Sequence, residues 1–565
     1  MTASLGEFQK SVDDALAEIK ADQVIERIWA HDHTVWKPEP SEITNRLGWL
    51  RIAEKMEASL PELDDLVSSL REEGYSQALL LGMGGSSLAP EVFRKTFGVR
   101  DGFLDLAILD STDPGAIHDQ AKKLDLKKTA FIVATKSGGT VETLSFFKYF
   151  YNQVVEAIGA VEAGNHFIAI TDAGSKLDEI ASQCNFRATF RNDRNIGGRY
   201  SALSYFGLLP AALIGVDLDK LLGRAQDMAR KNMGNDLPDE GSNYGAHLGA
   251  ILGELANAGR DKLTLVTSAQ IASFGDWVEQ LIAESTGKEG KGILPVVGEP
   301  IGAPENYGDD RLFIFLTLDD DPSLEEKFAG LKNAGHPVVK IRISDLYDLG
   351  GQFFLWEMAT AVAGYRLGIN PFDQPNVEEA KVLAKEMMSA YRESGTLPEL
   401  KVTMKFNGVS VFGDEKLPSA DLNSPNEALQ VFLEDAHPGS YISIQAYIKP
   451  TVEAEKALQE FRAELRDRTR LATTVGYGPR FLHSTGQLHK GDAGKGYFIQ
   501  LTSDSPQDIP IPDEPGSNRS SISFGVLKGA QALGDRQALL DTNRRVLRFH
   551  LGTDVLGGLD KLTTD

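Results

Sequence analysis

Two charged residues, Arg199 and Glu284, stand in local sequences that suit catalysis. Arg199 follows two consecutive glycines, so backbone and ligand can approach closely there and the guanidinium can hold an oxyanion. Glu284 ends an apolar helical face that carries Trp277 and Leu281. A carboxylate at the edge of such a face is partly desolvated, which suits a general base. Taken alone, each residue also fits an ordinary surface role, in an ion pair or at a solvated helix end.

The histidines offer one more candidate region, the loop from Phe481 to Gly491 that holds His483 and His489. The loop is rich in hydrogen-bonding groups, and a proton shuttle can operate there; two solvated loop histidines are the alternative. Lys381, taken alone, is a surface lysine in helical spacing. No group of histidines and carboxylates has metal-ligand spacing, so we expect no catalytic metal and no other cofactor.

Two similar glycine-rich turns form the most informative pattern. Gly82-Met83-Gly84-Gly85-Ser86-Ser87 and Thr135-Lys136-Ser137-Gly138-Gly139-Thr140 each follow an apolar strand pattern and precede a helical one. Each directs free backbone N–H groups and a positive helix end toward one point, which predicts an anion cradle. Neither turn carries the Gly-Lys-Ser/Thr ending of a nucleoside-triphosphate loop, and the first lacks the glycine spacing of a dinucleotide-binding motif. A single phosphate on a small molecule fits better, although either turn alone also fits a connection that binds nothing.

The composition limits the classes of protein that remain. The chain has 565 residues, too many for one core, so about two to four domains are expected. A formal charge of -23 argues against nucleic acid and anionic membranes as main partners. The single cysteine excludes an intrachain disulfide framework, and no uncharged apolar run approaches the length of a membrane span. The first 22 residues predict an amphipathic helix, not a signal peptide. We therefore expect a soluble cytoplasmic protein.

Alternating strand and helix patterns must position these residues. Strand patterns occur near residues 78–82, 104–109, 130–134, 167–171 and 187–191, and again near 263–267, 312–318 and 338–343. They predict an α/β protein with two doubly wound parallel sheets, whose ligands bind at the carboxyl ends of strands, where both glycine turns lie. Composition shifts near residue 393, and a further α/β unit follows. We predict a helical cap at 1–60, domains at 61–217 and 218–392, and a C-terminal α/β domain at 393–565.

Together, five stretches resemble the phosphoglucose isomerase (glucose-6-phosphate isomerase) family, whose two halves are sugar-isomerase domains. They occur in the family's order: Gly84-Gly85-Ser86, Thr135-Lys136-Ser137-Gly138-Gly139-Thr140, Gly197-Gly198-Arg199-Tyr200-Ser201, Gln280 with Glu284-Ser285-Thr286-Gly287-Lys288, and Gln374 with Lys381. Any one match is weak, whereas five in order are specific. The resemblance to compact members covers about residues 75–390. The longer form resembles the isomerase half of bacterial transaldolase and phosphoglucose isomerase fusions, but there is no room for a transaldolase barrel, so isomerase activity alone is expected.

The resemblance implies an aldose-ketose isomerase that interconverts glucose 6-phosphate and fructose 6-phosphate through an enediolate, in glycolysis and gluconeogenesis. It gives Glu284 the proton transfer between C1 and C2, Arg199 the stabilisation of the enediolate and Lys381 a part in ring opening. Glu142 matches the position that orients the ring-opening histidine, and the neighbouring Thr143 adds a hydroxyl donor. Family members are commonly dimers, so a homodimer is expected. The residues implied around the sugar phosphate are Gly85, Ser86, Thr135, Lys136, Ser137, Gly138, Gly139, Thr140, Gln280 and Gln374.

One departure from the family concerns the ring-opening histidine. In the family this histidine lies between the base and the lysine, but between Glu284 and Lys381 the only histidine is His336, in strand-like surroundings. The local pattern expected around it occurs instead at Leu482-His483-Ser484-Thr485-Gly486-Gln487. We therefore predict that the C-terminal domain delivers His483 to the site, within the chain or in trans from a partner subunit. The alternative candidates are His489 and Glu305.

Two other functions stay open on the sequence. An isomerase of another phosphosugar, such as an amino sugar or mannose 6-phosphate, needs different contacts at C2. A regulator that binds a sugar phosphate without catalysis needs only the phosphate cradle. The joint presence of Glu284, Arg199 and Lys381 argues against the regulator, because a binding protein needs no base.

Overall fold

The N-terminal segment packs against the regions of the first two sheets and is held there by tryptophans. In a computed structural model, the described residues are 1–234, 243–319, 321–413, 417 and 422–563. The elements of the segment are β1 (Thr2–Ser4), α1 (Gln9–Ala21), α2 (Val24–Trp29), α3 (Ile52–Glu57) and α4 (Leu60–Glu72). Trp49 is fully buried against Tyr200 and Phe354, and Trp36 Nε1 donates to Ala361 O at 2.8 Å. These aromatic contacts fix the segment to the two sheets that follow.

The first sheet is parallel throughout, in the order β3-β2-β4-β5-β6. Its elements are β2 (Gln77–Leu81), α5 (Leu88–Phe97), β3 (Asp105–Leu109), α6 (Pro114–Lys123), β4 (Thr129–Ala134), α7 (Val141–Ile158), α8 (Ala160–Ala163), β5 (Phe167–Asp172), α9 (Lys176–Gln183), β6 (Ala188–Asn192) and α10 (Tyr205–Leu213). Ala78 and Leu80 pack into one core, whereas Leu79 and Leu81 pack into another, against α7. Because both faces of the sheet are covered, the strands β2, β4 and β5 are largely apolar, whereas the edge strand β6 ends in Arg191 and Asn192. The sequence pattern placed each of the five strands within one residue.

The second sheet, in the order β1-β10-β9-β7-β8, joins the N-terminal strand to four parallel strands. Its region contains α11 (Leu218–Lys231), α12 (Tyr244–Asn257), β7 (Lys262–Thr267), α13 (Phe274–Thr286), β8 (Leu294–Val297), β9 (Arg311–Leu318), α14 (Glu325–Asn333), β10 (Val338–Ile343), α15 (Leu349–Leu367) and α16 (Glu378–Ser394). The segment predicted as a helical cap also contributes one strand, since β1 pairs antiparallel with β10, Ala3 opposite Val339. A three-residue strand is too short to show an alternating pattern, so no sequence pattern indicated it.

The C-terminal region forms a six-stranded mixed sheet, in the order β11-β12-β18-β15-β13-β14. Its elements are β11 (Met404–Phe406), β12 (Val409–Phe412), α17 (Pro425–Leu433), β13 (Tyr441–Tyr447), α18 (Val452–Thr469), β14 (Ala472–Tyr477), α19 (Gly486–Gly491), β15 (Gly496–Thr502), β16 (Pro510–Ile511), β17 (Ile522–Ser523), α20 (Phe524–Asp541), β18 (Arg545–His550) and α21 (Val555–Thr563). Helix α20 packs on the first sheet's region, where Phe524 stacks on Phe146 at 5.8 Å between ring centroids. The predicted α/β class with parallel sheets is confirmed, while the domain boundaries at 60, 217 and 392 stay predictions.

Across the described ranges, no helix combines the length and the apolar character that crossing a bilayer requires.

Candidate functional site

Three short turns meet at one point, and glycine is required for the meeting. A Cβ on Gly85 would lie 2.1 Å from Gly198 O, in the turn that carries Arg199. Gly84 adopts a φ of +53°, and a Cβ there would lie 2.8 Å from the Cβ of His483. Any side chain at either glycine would force these backbones apart. The first glycine turn therefore contacts both the arginine segment and the C-terminal histidine segment.

Arg199 is a fixed, buried cation beside Glu284. Its side chain is 1% exposed, and its Nη1 lies 3.2 Å from Glu284 Oε1. Four further hydrogen bonds hold the guanidinium: Nε donates to Ser285 Oγ at 2.7 Å, Nη1 to Gln374 Oε1 at 3.0 Å, and Nη2 to Pro371 O at 2.8 Å and Asp373 O at 3.1 Å. An arginine held this way loses little rotamer freedom when an oxyanion arrives. The structure thus brings Arg199, Glu284 and Gln374 together.

Glu284 and Gln280 lie one helical turn apart on α13 and face the same site. Gln280 Nε2 donates to Glu284 Oε2 at 3.1 Å and to His483 O at 2.7 Å. The Glu284 side chain is 15% exposed, so a ligand can reach it. Gln280, which the resemblance places near the phosphate, links the candidate base to the histidine segment.

His483 reaches Glu142 within the same chain. His483 Nε2 lies 3.0 Å from Glu142 Oε1, on α7 of the first sheet's region. Burial opposes the charge on Glu142, but the His483 imidazole and the Lys381 ammonium group outweigh it and hold the pKa of this carboxyl below its ordinary value of 4.5. An ionised Glu142 accepts hydrogen bonds only, so His483 carries its proton on Nε2.

A cavity of about 170 Å³ opens beside this pair. Its walls include the second glycine turn, α16 and α20, through Ser137, Gly139, Thr140, Glu142, Lys381, Lys385, His483 and Gln531. Lys381 is about half exposed and pairs with Glu378 on its own helix at 2.8 Å. The cavity therefore joins Lys381, His483 and the amino end of α7.

The second glycine turn presents hydroxyl groups at the start of α7. Thr135 Oγ1 and Thr140 Oγ1 lie 2.8 Å apart, and Gly138 adopts a φ of +70° where a Cβ would meet backbone. Lys136 pairs with Asp172. Thr143 Oγ1 is buried and, among the described residues, has no hydrogen-bond partner. Helix α7 is 18 residues long, so its amino end carries the partial positive charge that favours a phosphate.

The alternative candidates, His489 and Glu305, lie in other surroundings. His489 is 1% exposed, packs among the rings of Tyr441, Phe481 and Phe498, and its pKa is held well below the ordinary value by burial. Glu305 is exposed in the turn Pro304–Asn306. Neither residue contacts Glu142 or Glu284 among the hydrogen bonds of the described residues, whereas His483 does contact Glu142.

Sequence reasoning missed two residues that hold the histidine segment. Arg480, three positions before His483, forms ion pairs with Glu91 and with Asp110, the latter at 3.5 Å. Gln531 Nε2 donates to Glu142 Oε1 at 2.6 Å. Neither residue belongs to a motif, and their partners lie hundreds of positions away, so no local signal marks them. Within the described residues, no cluster of three or more histidine, cysteine or carboxylate side chains is arranged to hold a metal ion.

Residues 71–292 match the family model described as phosphoglucose isomerase. These residues belong to the phosphoglucose isomerase family. The match spans Glu142, Arg199 and Glu284 but ends before Lys381 and His483. A family match over a range of residues assigns no role to a single side chain, so the roles of all five residues stay predictions.

Relatives agree with this membership. A probable glucose-6-phosphate isomerase of Methanococcus maripaludis is 29% identical over 56% of this chain and 80% of its own length. The glucose-6-phosphate isomerase of Rubrobacter xylanophilus is 28% identical over 59% of this chain and 86% of its own length. In the solved structures, a glucose-6-phosphate isomerase from Chlamydia trachomatis matches with a TM-score of 0.57 at 18% identity, covering 68% of this chain and 86% of that one. This last likeness supports the fold.

Proposed function

We propose that this protein is a glucose-6-phosphate isomerase, interconverting glucose 6-phosphate and fructose 6-phosphate. The observation that carries the proposal is the buried Arg199 guanidinium held 3.2 Å from the reachable Glu284 carboxylate, with the His483 and Glu142 pair joined to it through Gln280. A protein that only binds a sugar phosphate has no use for this arrangement. Family membership and the names of the relatives support the same substrate pair.

Glu284 takes the proton from C2 of the open-chain aldose and returns it to C1, while the hydroxyl proton on O2 passes to O1, so that the carbonyl group moves from C1 to C2. The intermediate is an enediolate, whose negative charge needs a fixed cation. Arg199 supplies that cation and loses little further side-chain entropy, because Ser285, Pro371 and Gln374 already hold it in place. Proton transfer by a positioned carboxylate is worth about 10²–10⁴-fold in rate.

His483 and Lys381 open the sugar ring before that transfer. With its proton on Nε2, facing Glu142, a neutral His483 has its lone pair on Nδ1. Nδ1 is then the nitrogen that exchanges a proton with the ring oxygen or the anomeric hydroxyl group. Lys381 lines the same cavity and adds positive charge there.

The second glycine turn and the amino end of α7 hold the phosphate. Backbone N–H groups of the turn, with the hydroxyl groups of Ser137, Thr140 and Thr143, supply the donors. Ser86 and the first turn complete the cradle on the other side. We further propose that the protein is a cytoplasmic homodimer. A glycolytic enzyme family and a net negative charge are both compatible with this.

The test couples fructose 6-phosphate conversion to a glucose-6-phosphate dehydrogenase and compares the wild type with Glu284→Gln. We expect turnover to fall about 10³-fold in the variant. Substrate binding measured by calorimetry should change little. Glu289→Gln is the matched control, because Glu289 is a half-exposed glutamate five positions away that pairs with Lys37. Full turnover in Glu284→Gln would remove Glu284 as the base.

Two further arms of the assay separate the alternatives. Folded wild-type protein that binds fructose 6-phosphate without converting it would point to the regulator. Faster conversion of mannose 6-phosphate than of glucose 6-phosphate would change the substrate while keeping the reaction class.

A further inference from the structure

One buried contact near His483 involves a residue from outside every motif. Gln531 on α20 is 4% exposed, and its Nε2 lies 2.6 Å from Glu142 Oε1. His483 Nε2 approaches the same oxygen at 3.0 Å. On the other side, Thr112 Oγ1 donates to Gln531 Oε1 at 3.0 Å. A continuous chain of hydrogen bonds therefore runs from Thr112 through Gln531 and Glu142 to His483.

The direction of each bond in this chain follows from its chemistry. An ionised carboxylate only accepts, so Glu142 Oε1 requires N–H donors from both neighbours. Gln531 must then turn its amide nitrogen to Glu142 and its amide oxygen to Thr112. This leaves His483 with its proton on Nε2 and its lone pair on Nδ1.

The helix that carries Gln531 is anchored on either side of it. Lys528 Nζ lies 2.7 Å from Asp113 Oδ2, and Lys490 Nζ lies 2.6 Å from Asp535 Oδ1. All four side chains are at most 8% exposed. Positions 528, 531 and 535 lie on one face of α20, since residues three or four apart are neighbours on a helix. Asp113 caps the amino end of α6 in the first sheet's region, and Lys490 lies in α19, just after His483. Helix α20 therefore links the first sheet's region to the histidine segment.

We propose that Gln531 is a positioning residue for ring opening. It holds the Glu142 carboxylate toward His483 and stabilises its ionised form, and so fixes the Nε2-protonated tautomer of His483. The inference rests on the proposed function, since ring opening belongs to that reaction. Gln531 acts through Glu142, because its two polar atoms are occupied by Glu142 and Thr112.

The test variant is Gln531→Met, which keeps the length of the side chain and removes both polar atoms. Exchange between the α and β anomers of glucose 6-phosphate, followed by NMR, reports ring opening alone, and it can be measured in a Glu284→Gln background. We expect the exchange to slow about tenfold, the loss typical of a hydrogen bond to a charged group. Gln537→Met, on the same helix, removes an outer bond to Asp541 and should change nothing.

The second readout is the imidazole ¹⁵N spectrum of His483, assigned by comparison with His483→Ala. The wild type should show the Nε2-protonated tautomer, and Gln531→Met a mixture of the two. A purely structural role of Gln531 would leave the tautomer unchanged in the folded variant. Should Gln531→Met fail to fold, Gln531→Glu keeps the size and forces two carboxyl groups to share one proton, which weakens the acceptor for His483.

Unchanged anomer exchange and an unchanged tautomer in the folded variants would overturn the role of Gln531. A wild type that does not convert fructose 6-phosphate would overturn the proposed function instead, and the tautomer would still report on the hydrogen-bond chain.

Discussion

Two lysines one helical turn apart line the cavity beside His483, and only one of them matches the family pattern. Lys381 and Lys385 both lie on α16 and both face the cavity. The Lys381 charge also contributes to holding the pKa of Glu142 low, which places its ammonium group within electrostatic reach of the ring-opening pair.

We therefore predict that Lys381→Met slows anomer exchange of glucose 6-phosphate about tenfold, as expected for the loss of one charge near a developing charge. Lys385→Met is the matched control and should stay within about twofold, because an exposed charge one turn away is screened by solvent. Equal losses in the two variants would mean that the helix presents a general positive surface and that Lys381 has no special part.

The residues of the site differ in how far the sequence could predict them. Glu284 and Arg199 stand in local patterns that suggest chemistry, so they could be named before the fold was known. His483 lies beyond the lysine, and only its local pattern marked it. Gln531 has no pattern at all, because its role depends on a contact with Glu142, 389 positions away.

At the scale of elements, glycine turns bring the separate parts of the site together. Gly85 brings the first glycine turn against Gly198, and Gly84 brings it against His483. Strands β2, β4 and β5 were predictable because they are largely apolar runs, whereas β1 and β8 of the second sheet were not predicted, nor was β14 of the C-terminal sheet. Strands β1 and β8 are short, and β8 contains Pro295, so their pairing depends on partner strands more than on their own side chains.

A methyl group on Gly85 tests the turn. Gly85→Ala places a Cβ 2.1 Å from Gly198 O, so the Arg199 turn must move. We predict a loss of about 1–3 kcal/mol in unfolding free energy and a larger loss of turnover than of substrate binding. Urea unfolding and the coupled assay measure the two effects.

Gly223→Ala is the control for this change. Gly223 lies within α11, and a Cβ there meets no atom within 4 Å. Alanine should stabilise the helix by up to about 1 kcal/mol and leave turnover unchanged. If Gly85→Ala behaves like Gly223→Ala, the first glycine turn and the Arg199 turn can move apart without loss of stability or turnover.

At the scale of the whole molecule, a cavity of about 430 Å³ lies where the two parallel-sheet regions and the C-terminal region meet. Glu279 of α13 lines it, and burial, with the nearby Asp276 carboxylate, raises the pKa of Glu279 to about 8 despite Arg480 and Arg462. Its ordinary value is 4.5, so the folded protein binds more protons than the unfolded chain between these two pH values. Stability contributed by protonated Glu279 is therefore present at low pH and is lost as the pH rises toward 8.

We predict that the melting temperature of the wild type falls from pH 5 to pH 8 more steeply than that of Glu279→Gln, by on the order of 2–4 °C. Scanning calorimetry across this range measures the difference. Glu460→Gln, an exposed glutamate on α18, should follow the wild type. Parallel curves for wild type and Glu279→Gln would mean that Glu279 is ionised throughout.

The sequence could not show whether His483 enters the site of its own chain or the site of a partner subunit. The histidine lies in a different region from Glu142, and a motif cannot say which copy of the chain it reaches. In the structure both residues of the 3.0 Å contact belong to one chain, and Arg480 fixes the histidine segment to Glu91 of that same chain. The geometry thus favours a site that one chain completes.

Mixing two inactive variants, Glu284→Gln and His483→Ala, decides between the arrangements. If each chain completes its own site, mixed assemblies regain no turnover, because every site lacks either the base or the histidine. If His483 acts in trans within a two-fold dimer, each mixed dimer regains one intact site, and random mixing restores about a quarter of wild-type turnover. Different affinity tags on the two variants isolate the mixed dimers, and in that purified fraction a histidine acting in trans would restore about half of wild-type turnover. Because the contact between His483 and Glu142 lies within one chain, we expect no recovery, and recovery near a quarter in the random mixture would show that the histidine segment exchanges between subunits.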